Sequence, residues 1–205
     1  MTTISIIGAG NMAAAIGGRA ARAGHTVEVM SRDHARGEAL AAQIGHGATA
    51  GTYGQRPRGE LVVVAVLHAG AVEAVTQFGD ALSGKTVVDI TNPFNADGSG
   101  LLTGPGDSVA HRIAAALPDG AQVVKAFNTI YGGAISGGKT VDAFFAGDDV
   151  RAKTQVAELL QSLGLRPLDA GGLDMAHALE WAGLLLVGLS RSGAGFDIAL
   201  ATQAL

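Results

Sequence analysis

The sequence contains no cysteine among its 205 residues. That excludes a disulfide framework, a thiol nucleophile and a thiolate metal site, and it permits a reducing compartment. Aromatic residues are scarce at 4% and charged residues at 16%. The net charge is only -4 and no basic cluster occurs, which argues against nucleic acid or an anionic membrane as the main partner. The longest apolar stretch near the C-terminus, Trp181 to Leu189, falls well short of the roughly 20 residues that span a bilayer. A strand-like run follows Met1 at once, with no signal peptide, so the expected location is the cytoplasm. The histidines stand at 25, 34, 46, 68, 111 and 177, no two of them three or four apart. No helical metal pair, H-E-x-x-H or G-x-S-x-G exists, and no metal is expected.

What remains is a chain that is 48% hydrophobic, with 31 glycines and an apolar volume built from Ala, Val, Leu and Ile. That composition suits a parallel sheet wrapped in small-residue helices. The pattern alternates accordingly. Strand-like runs are "TISIIG", "HTVEVM", "ELVVVAVL", "KTVVDIT", "AQVVKAF", "VDAFFAG" and "LRPLDA". Helical patterns lie between most of them, and a further helix is expected from about Leu173 to Arg191. "GATAGTYGQRPRG" reads as a loop with room for a short strand. "NPFNADGSGLLTGPGD" reads as a long loop, and loops of that length are usually functional or mobile. The expected fold class is α/β, a doubly wound, mainly parallel sheet with a small C-terminal α/β and helical appendage. Residues 1–131 would form the nucleotide-binding domain. Residues 132–205 would pack on it and shape a second site. Ligands in such sheets sit at the C-terminal strand ends.

The first of those ends carries Gly8, Gly10 and Ala13 in the spacing G-x-G-x-x-A. The spacing alone is weak, but a strand precedes it, a helix opens within it and a second strand follows. Gly8 permits the tight turn, Gly10 lets backbone approach a pyrophosphate, and Ala13 lets helix pack on strand. The free N–H groups near Asn11 and Met12 face phosphate at a helix N-terminus. The end of the second strand selects the cofactor. NAD sites usually place an acid there for the ribose 2′-OH. Here Ser31 and Arg32 occupy that place, with Arg36 one helical turn on. A hydroxyl and two guanidinium groups suit a 2′-phosphate, so NADP is expected. The bland alternative for Arg32 and Arg36 is a solvated helix face. Glu28 lies too early in the strand, and Asp33 suits the N-cap of the next helix.

A catalytic side chain is harder to find. His68 follows "VVVAVL" near a strand end, where it would shape a nicotinamide pocket or simply be an exposed loop residue. Lys125 lies inside "VVKAF", and an alternating strand lysine usually points at solvent or a carboxylate. Asn92, Asn128 and Thr129 stand at strand ends and can hydrogen-bond an amide without titrating. Nothing resembles an acid–base dyad, so the catalytic set is expected to be positional only, with His68, Asn92 and Asn128 as candidates. Hydride transfer between two bound cofactors needs little more than positioning and excluded water.

The segments "IIGAGNM", "SR" after the second strand, "DITNP", "VVKAFNT", "FFAGDD" and "GLRPLDAGGL" resemble the family of NADPH-dependent coenzyme F420 reductases. The same Rossmann domain occurs in the cytosolic part of the STEAP metalloreductases. The resemblance covers nearly the whole chain. It implies NADP held by Gly8, Gly10, Asn11, Met12, Ser31, Arg32 and Arg36. Leu67, His68, Thr91, Asn92, Ala126 and Phe127 would surround its nicotinamide end. It also implies a deazaflavin, coenzyme F420, as the second substrate near Asn92, Pro93 and Asn128, and a homodimer whose C-terminal segment completes the neighbour's pocket. The loop 95–107 or the C-terminal tail would close the site. There are departures. "LHAGAV" stands where the family often has proline and an aromatic, and His177 stands where it often has arginine. The loop "NADGSGLLTGPGD" offers no Lys or Arg to the anionic tail of F420. Reduction of another acceptor (flavin, ferric ion, imine or carbonyl) and a non-catalytic NADP-binding redox sensor therefore stay open as alternatives.

Overall fold

The computed structural model describes residues 1–203. Five strands and three helices follow in chain order from the N-terminus, with an α-helix between successive strands except the third and fourth. These are β1 (Thr3–Ile7), α1 (Asn11–Arg22), β2 (Thr26–Ser31), α2 (His34–Ile44), β3 (Thr49–Thr52), β4 (Leu61–Val64), α3 (His68–Phe78) and β5 (Thr86–Asp89). The second half adds α4 (Val109–Ala116), β6 (Gln122–Lys125), α5 (Gly132–Ser136), β7 (Asp142–Gly147), α6 (Val150–Ser162), β8 (Arg166–Asp169) and α7 (Ala176–Leu189). The strands form one eight-stranded sheet in the order β3-β2-β1-β4-β5-β6-β7-β8. All pairs are parallel except β6 with β7. The doubly wound, mainly parallel α/β fold expected from the sequence is thus present, and the appended strands extend its sheet.

The continuous apolar strands have a simple cause, because both faces of the sheet are covered. Ile4, Ile6, Val63 and Val88 face a cluster shared with α1, α2 and α6. Ile7, Val62, Val64 and Val87 face the other cluster, with Val75 and Phe78 of α3 and Ile113 of α4. Each fully buried Ile or Val contributes about 1.5–3 kcal/mol of burial. Helix ends follow local chemistry. Asp33, Ser108 and Asp149 cap α2, α4 and α6, each accepting the backbone N–H three residues on.

Three local readings are corrected. The strand read as "ELVVVAVL" stops at Val64, and His68, read as following it or as an exposed loop residue, opens α3. The long loop after β5 is partly ordered, with a bridge between Phe94 and Leu101 and Asn95 Oδ1 accepting from the N–H groups of Ser99 and Gly100. The last helical run, Leu173–Ala194, is 22 residues with mean hydropathy 1.2 and so matches a bilayer span by length and composition. Its Glu180 is fully buried while Trp181, Leu185 and Leu189 are exposed, so the run packs on the fold along one face.

Candidate functional site

The C-terminal ends of β2, β1 and β4 close over one turn. Gly8 donates to the Met30 carbonyl at 2.9 Å, and Ala65 donates to the Ile7 carbonyl at 2.8 Å. Gly8 has φ +123, and a Cβ there would lie 2.3 Å from the Ala65 carbonyl oxygen. Only glycine brings these backbones so near. The chain then enters α1 through Gly10, whose N-cap position offers no side-chain acceptor, and the first turn holds no acid. The leading N–H groups of α1 are therefore uncapped at the positive end of the helix dipole. Nothing lies within 4 Å of a Cβ built on Gly10, so the turn opens into free space.

That space is a cavity of about 620 Å³. Its walls are Gly8–Met12, the Ser31–Asp33 corner with Arg36, Tyr53, and the turn Ala65–Leu67. The structure thus gathers eight of the residues expected for a nucleotide: Gly8, Gly10, Asn11, Met12, Ser31, Arg32, Arg36 and Leu67. The Arg36 side chain is 79% exposed and its Nε sits 3.4 Å from Asp33, a solvated pair. Tyr53 is the residue that sequence reasoning missed. Its ring packs edge-on against Phe78 at 5.0 Å, and burial raises its phenol pKa while neighbouring Arg32 opposes that shift. The one signal for it was a lone aromatic in a glycine-rich segment after the second helix.

Of the other expected residues, His68 follows Leu67 at the start of α3, and Thr91, Asn92, Ala126, Phe127 and Asn128 stand just past the ends of β5 and β6, apart from that cavity wall. His68 is half-buried as the first residue of α3. Ala126 and Phe127 are fully buried, and Phe127 takes φ +62, a conformation uncommon for a non-glycine residue. Asn92 and Asn128 clasp each other: Asn92 Nδ2 donates to the Asn128 carbonyl at 2.8 Å and Asn128 Nδ2 donates to Asn92 Oδ1 at 2.9 Å. Three buried polar atoms beside this clasp have no hydrogen-bond partner among the described residues: Thr91 Oγ1, Asn128 Oδ1 and Thr129 Oγ1, on residues no more than 6% exposed. Buried polar atoms are rarely left so.

Of the two readings open for Lys125, solvent or a carboxylate, the structure shows the second, with two carboxylates in place of one. Lys125 is fully buried between Asp89, at 2.8 Å, and Glu180, at 3.0 Å. Asp89 and Lys125 are register partners on adjacent parallel strands, and that equivalence in "VVD" and "VVK" was the available signal. Glu180 gave none, because its contacts are remote in sequence.

Three comparisons bear on these features. Residues 3–93 match the family model for NADP oxidoreductase, coenzyme F420-dependent. The chain is 29% identical over 180 residues to the metalloreductase STEAP3 of Rattus norvegicus, covering 86% of this chain and 35% of that protein. It is 30% identical over 140 residues to the F420-dependent NADP reductase of Methanothermobacter marburgensis, covering 64% of this chain and 62% of that protein. The chain therefore spans less than two thirds of the length of either relative. The solved structure of a candidate F420-dependent NADP-reductase from Arthrobacter sp. fb24 superposes with a TM-score of 0.89 at 25% identity, covering both chains completely.

Proposed function

Taking this chain as a relative of the coenzyme F420-dependent NADP oxidoreductases, we propose that it is an NADPH-dependent oxidoreductase that transfers a hydride between NADP(H) and a deazaflavin. The observation that carries the reading is one cavity joining the uncapped N-terminus of α1 to Ser31, Arg32 and Arg36. These residues fit NADP. The N–H groups of Asn11 and Met12 would meet the pyrophosphate, and Ser31 with the two arginines would meet the 2′-phosphate. Thr91, Asn128 and Thr129 would present their unpaired atoms to the carboxamide. When bound, NADPH supplies the hydride. The contribution of the chain is to orient and to exclude water, by way of the Asn92–Asn128 clasp and the covering helix α7.

A second reading keeps NADPH and changes the acceptor to a flavin, ferric ion, imine or carbonyl. It is favoured by the state of the cations at the loop after β5. Arg191 donates to the Asp97 carbonyl, and Arg112 pairs with Asp107. Both are already engaged, which leaves little there for the anionic tail of F420. The test is to mix protein, NADPH and F420 and follow the visible absorbance of the deazaflavin. Its loss supports the first reading. Reduction of a flavin, iron or imine without it supports the second. Tight NADPH binding with no acceptor turned over supports a redox sensor instead.

We also propose a cytoplasmic homodimer. Trp181, Leu185 and Leu189 repeat every four residues along α7 and are 51%, 56% and 43% exposed, an apolar stripe that a second copy would cover. The tail itself bonds to its own chain, with Arg166 donating to the Thr202 carbonyl at 2.7 Å. Light scattering at micromolar concentration tests this, and a monomer would overturn it.

A further inference from the structure

Every proton on the Lys125 ammonium is committed inside the fold. Nζ donates to Asp89 Oδ2 at 2.8 Å, to Glu180 Oε1 at 3.0 Å and to the backbone carbonyl of Thr91 at 2.6 Å. Asp89 Oδ1 accepts the backbone N–H of Thr91 at 2.9 Å. The main chain of Thr91 is thus gripped on both sides, by an ammonium and by the carboxylate that balances it. Glu180 carries the grip outward. Its Oε1 also accepts the Val109 N–H at 3.0 Å, and its Oε2 accepts the Thr103 hydroxyl at 3.1 Å. One buried cluster therefore joins the ends of β5 and β6, the loop after β5, the start of α4, and α7.

Stability alone does not account for it. Burying two carboxylates and one ammonium costs several kcal/mol of desolvation per ion, and apolar residues of the same shape often serve a fold as well or better. The cluster supplies a fixed backbone at Thr91, next to Asn92 and beside the three unpaired polar atoms. A strained backbone residue, Phe127, separates Lys125 from Asn128 on the facing strand. Strain of that kind persists where the surroundings over-determine a site.

We infer that Asp89, Lys125 and Glu180 form a positioning cluster that holds the Thr91–Asn92 backbone, and through Asn92 its clasp with Asn128, in place for the nicotinamide half of the cofactor. The inference rests on the NADP reading above. The cluster acts on the nicotinamide end alone, because the adenine end is built from β1, β2 and α1.

The test uses two variants. Lys125→Met leaves two facing carboxylates, a severe change. The triple variant Asp89→Asn, Lys125→Met, Glu180→Gln removes every charge while keeping side-chain size, and keeps the test open if the single variant fails to fold. Binding of NADPH is compared with binding of adenosine 2′,5′-bisphosphate, which carries the adenine end and no nicotinamide. The expected result is an NADPH affinity lowered about tenfold or more, loss of the enhanced nicotinamide fluorescence, and bisphosphate affinity within about twofold of the parent. Parallel loss of both ligands would mean the cluster only supports the fold, and would overturn the inference. So would unchanged NADPH affinity in a folded variant. Failure of the parent protein to bind either ligand would instead overturn the NADP reading.

Discussion

Gly183 of α7 makes room for Asn92, because a Cβ on Gly183 would stand 2.8 Å from Asn92 Oδ1. Two effects of Gly183→Ala therefore oppose each other. Alanine in a helix interior is favoured over glycine by about 1 kcal/mol. The added methyl group also pushes Asn92 out of its clasp with Asn128. The outcome expected is a melting temperature within a few degrees of the parent, since the two terms are of similar size. NADPH affinity should fall about three- to tenfold, with adenosine 2′,5′-bisphosphate unaffected. Calorimetry on the two ligands distinguishes this from general destabilisation. An unchanged NADPH affinity would remove Asn92 from the nicotinamide end.

Arg32 lines the cavity, and no ion pair involving it is found among the described residues, whereas Arg36 is exposed and leans on Asp33. Arg32→Ala should weaken NADPH by about 1.5–3 kcal/mol, the range for a hydrogen bond to a charged group. NADH, which lacks the 2′-phosphate, should change little. Arg36→Ala should cost less than Arg32→Ala. Titrating both nucleotides into both variants checks this, and equal loss of NADH and NADPH would refute the assignment of Arg32 to the 2′-phosphate.

Much of this was legible in sequence, for definable reasons. Parallel strands buried on both faces read as unbroken apolar runs, so β1, β4, β5 and β6 stood out. The Gly8-to-Ala13 spacing and the Ser31–Arg32 corner act locally, and local chemistry survives without a structure. What was not legible was remote pairing. Lys125 could be read as facing solvent or a carboxylate, and a sheet covered on both sides leaves only the carboxylates. The partner Glu180 is 55 residues from Lys125, and Thr103 lies 77 residues from Glu180. No spacing rule reaches across such distances. The short helix α5, which begins Gly132-Gly133, was hidden by its glycines.

Gly8→Ala tests the turn itself. At φ +123 an alanine is strained by about 1–3 kcal/mol. Its Cβ would also meet backbone at Ala65, which has no rotamer with which to yield. The β1–β4 end must then separate, with loss of the Ala65-to-Ile7 hydrogen bond. The expected result is a clear fall in melting temperature together with loss of both NADPH and the bisphosphate. That joint loss is the opposite of the pattern for Gly183→Ala. Retained affinity for either ligand would mean that the strand ends can part without disturbing the pocket.

His25 gives a pH dependence with a definite sign. It is 8% exposed at the turn from α1 to β2. Nδ1 accepts the Thr2 N–H at 3.3 Å, and Nε2 lies 2.7 Å from Ser162 Oγ, which itself donates to the Leu159 carbonyl. Those partners suit the neutral ring with its proton on Nε2. Burial holds the pKa of His25 below its ordinary 6.5, and the nearby N-terminal ammonium adds to this. At about pH 7.5 and above the ring is essentially neutral in both folded and unfolded chains, and its contribution to stability is fully present. As the pH falls below 6.5 the unfolded chain takes the proton first, so stability drops until the folded ring is protonated as well. Between about pH 7.5 and about pH 5 the parent should therefore lose more stability than His25→Gln, measured by urea unfolding at each pH. Two curves that stay parallel across that window would show that His25 titrates alike in both states.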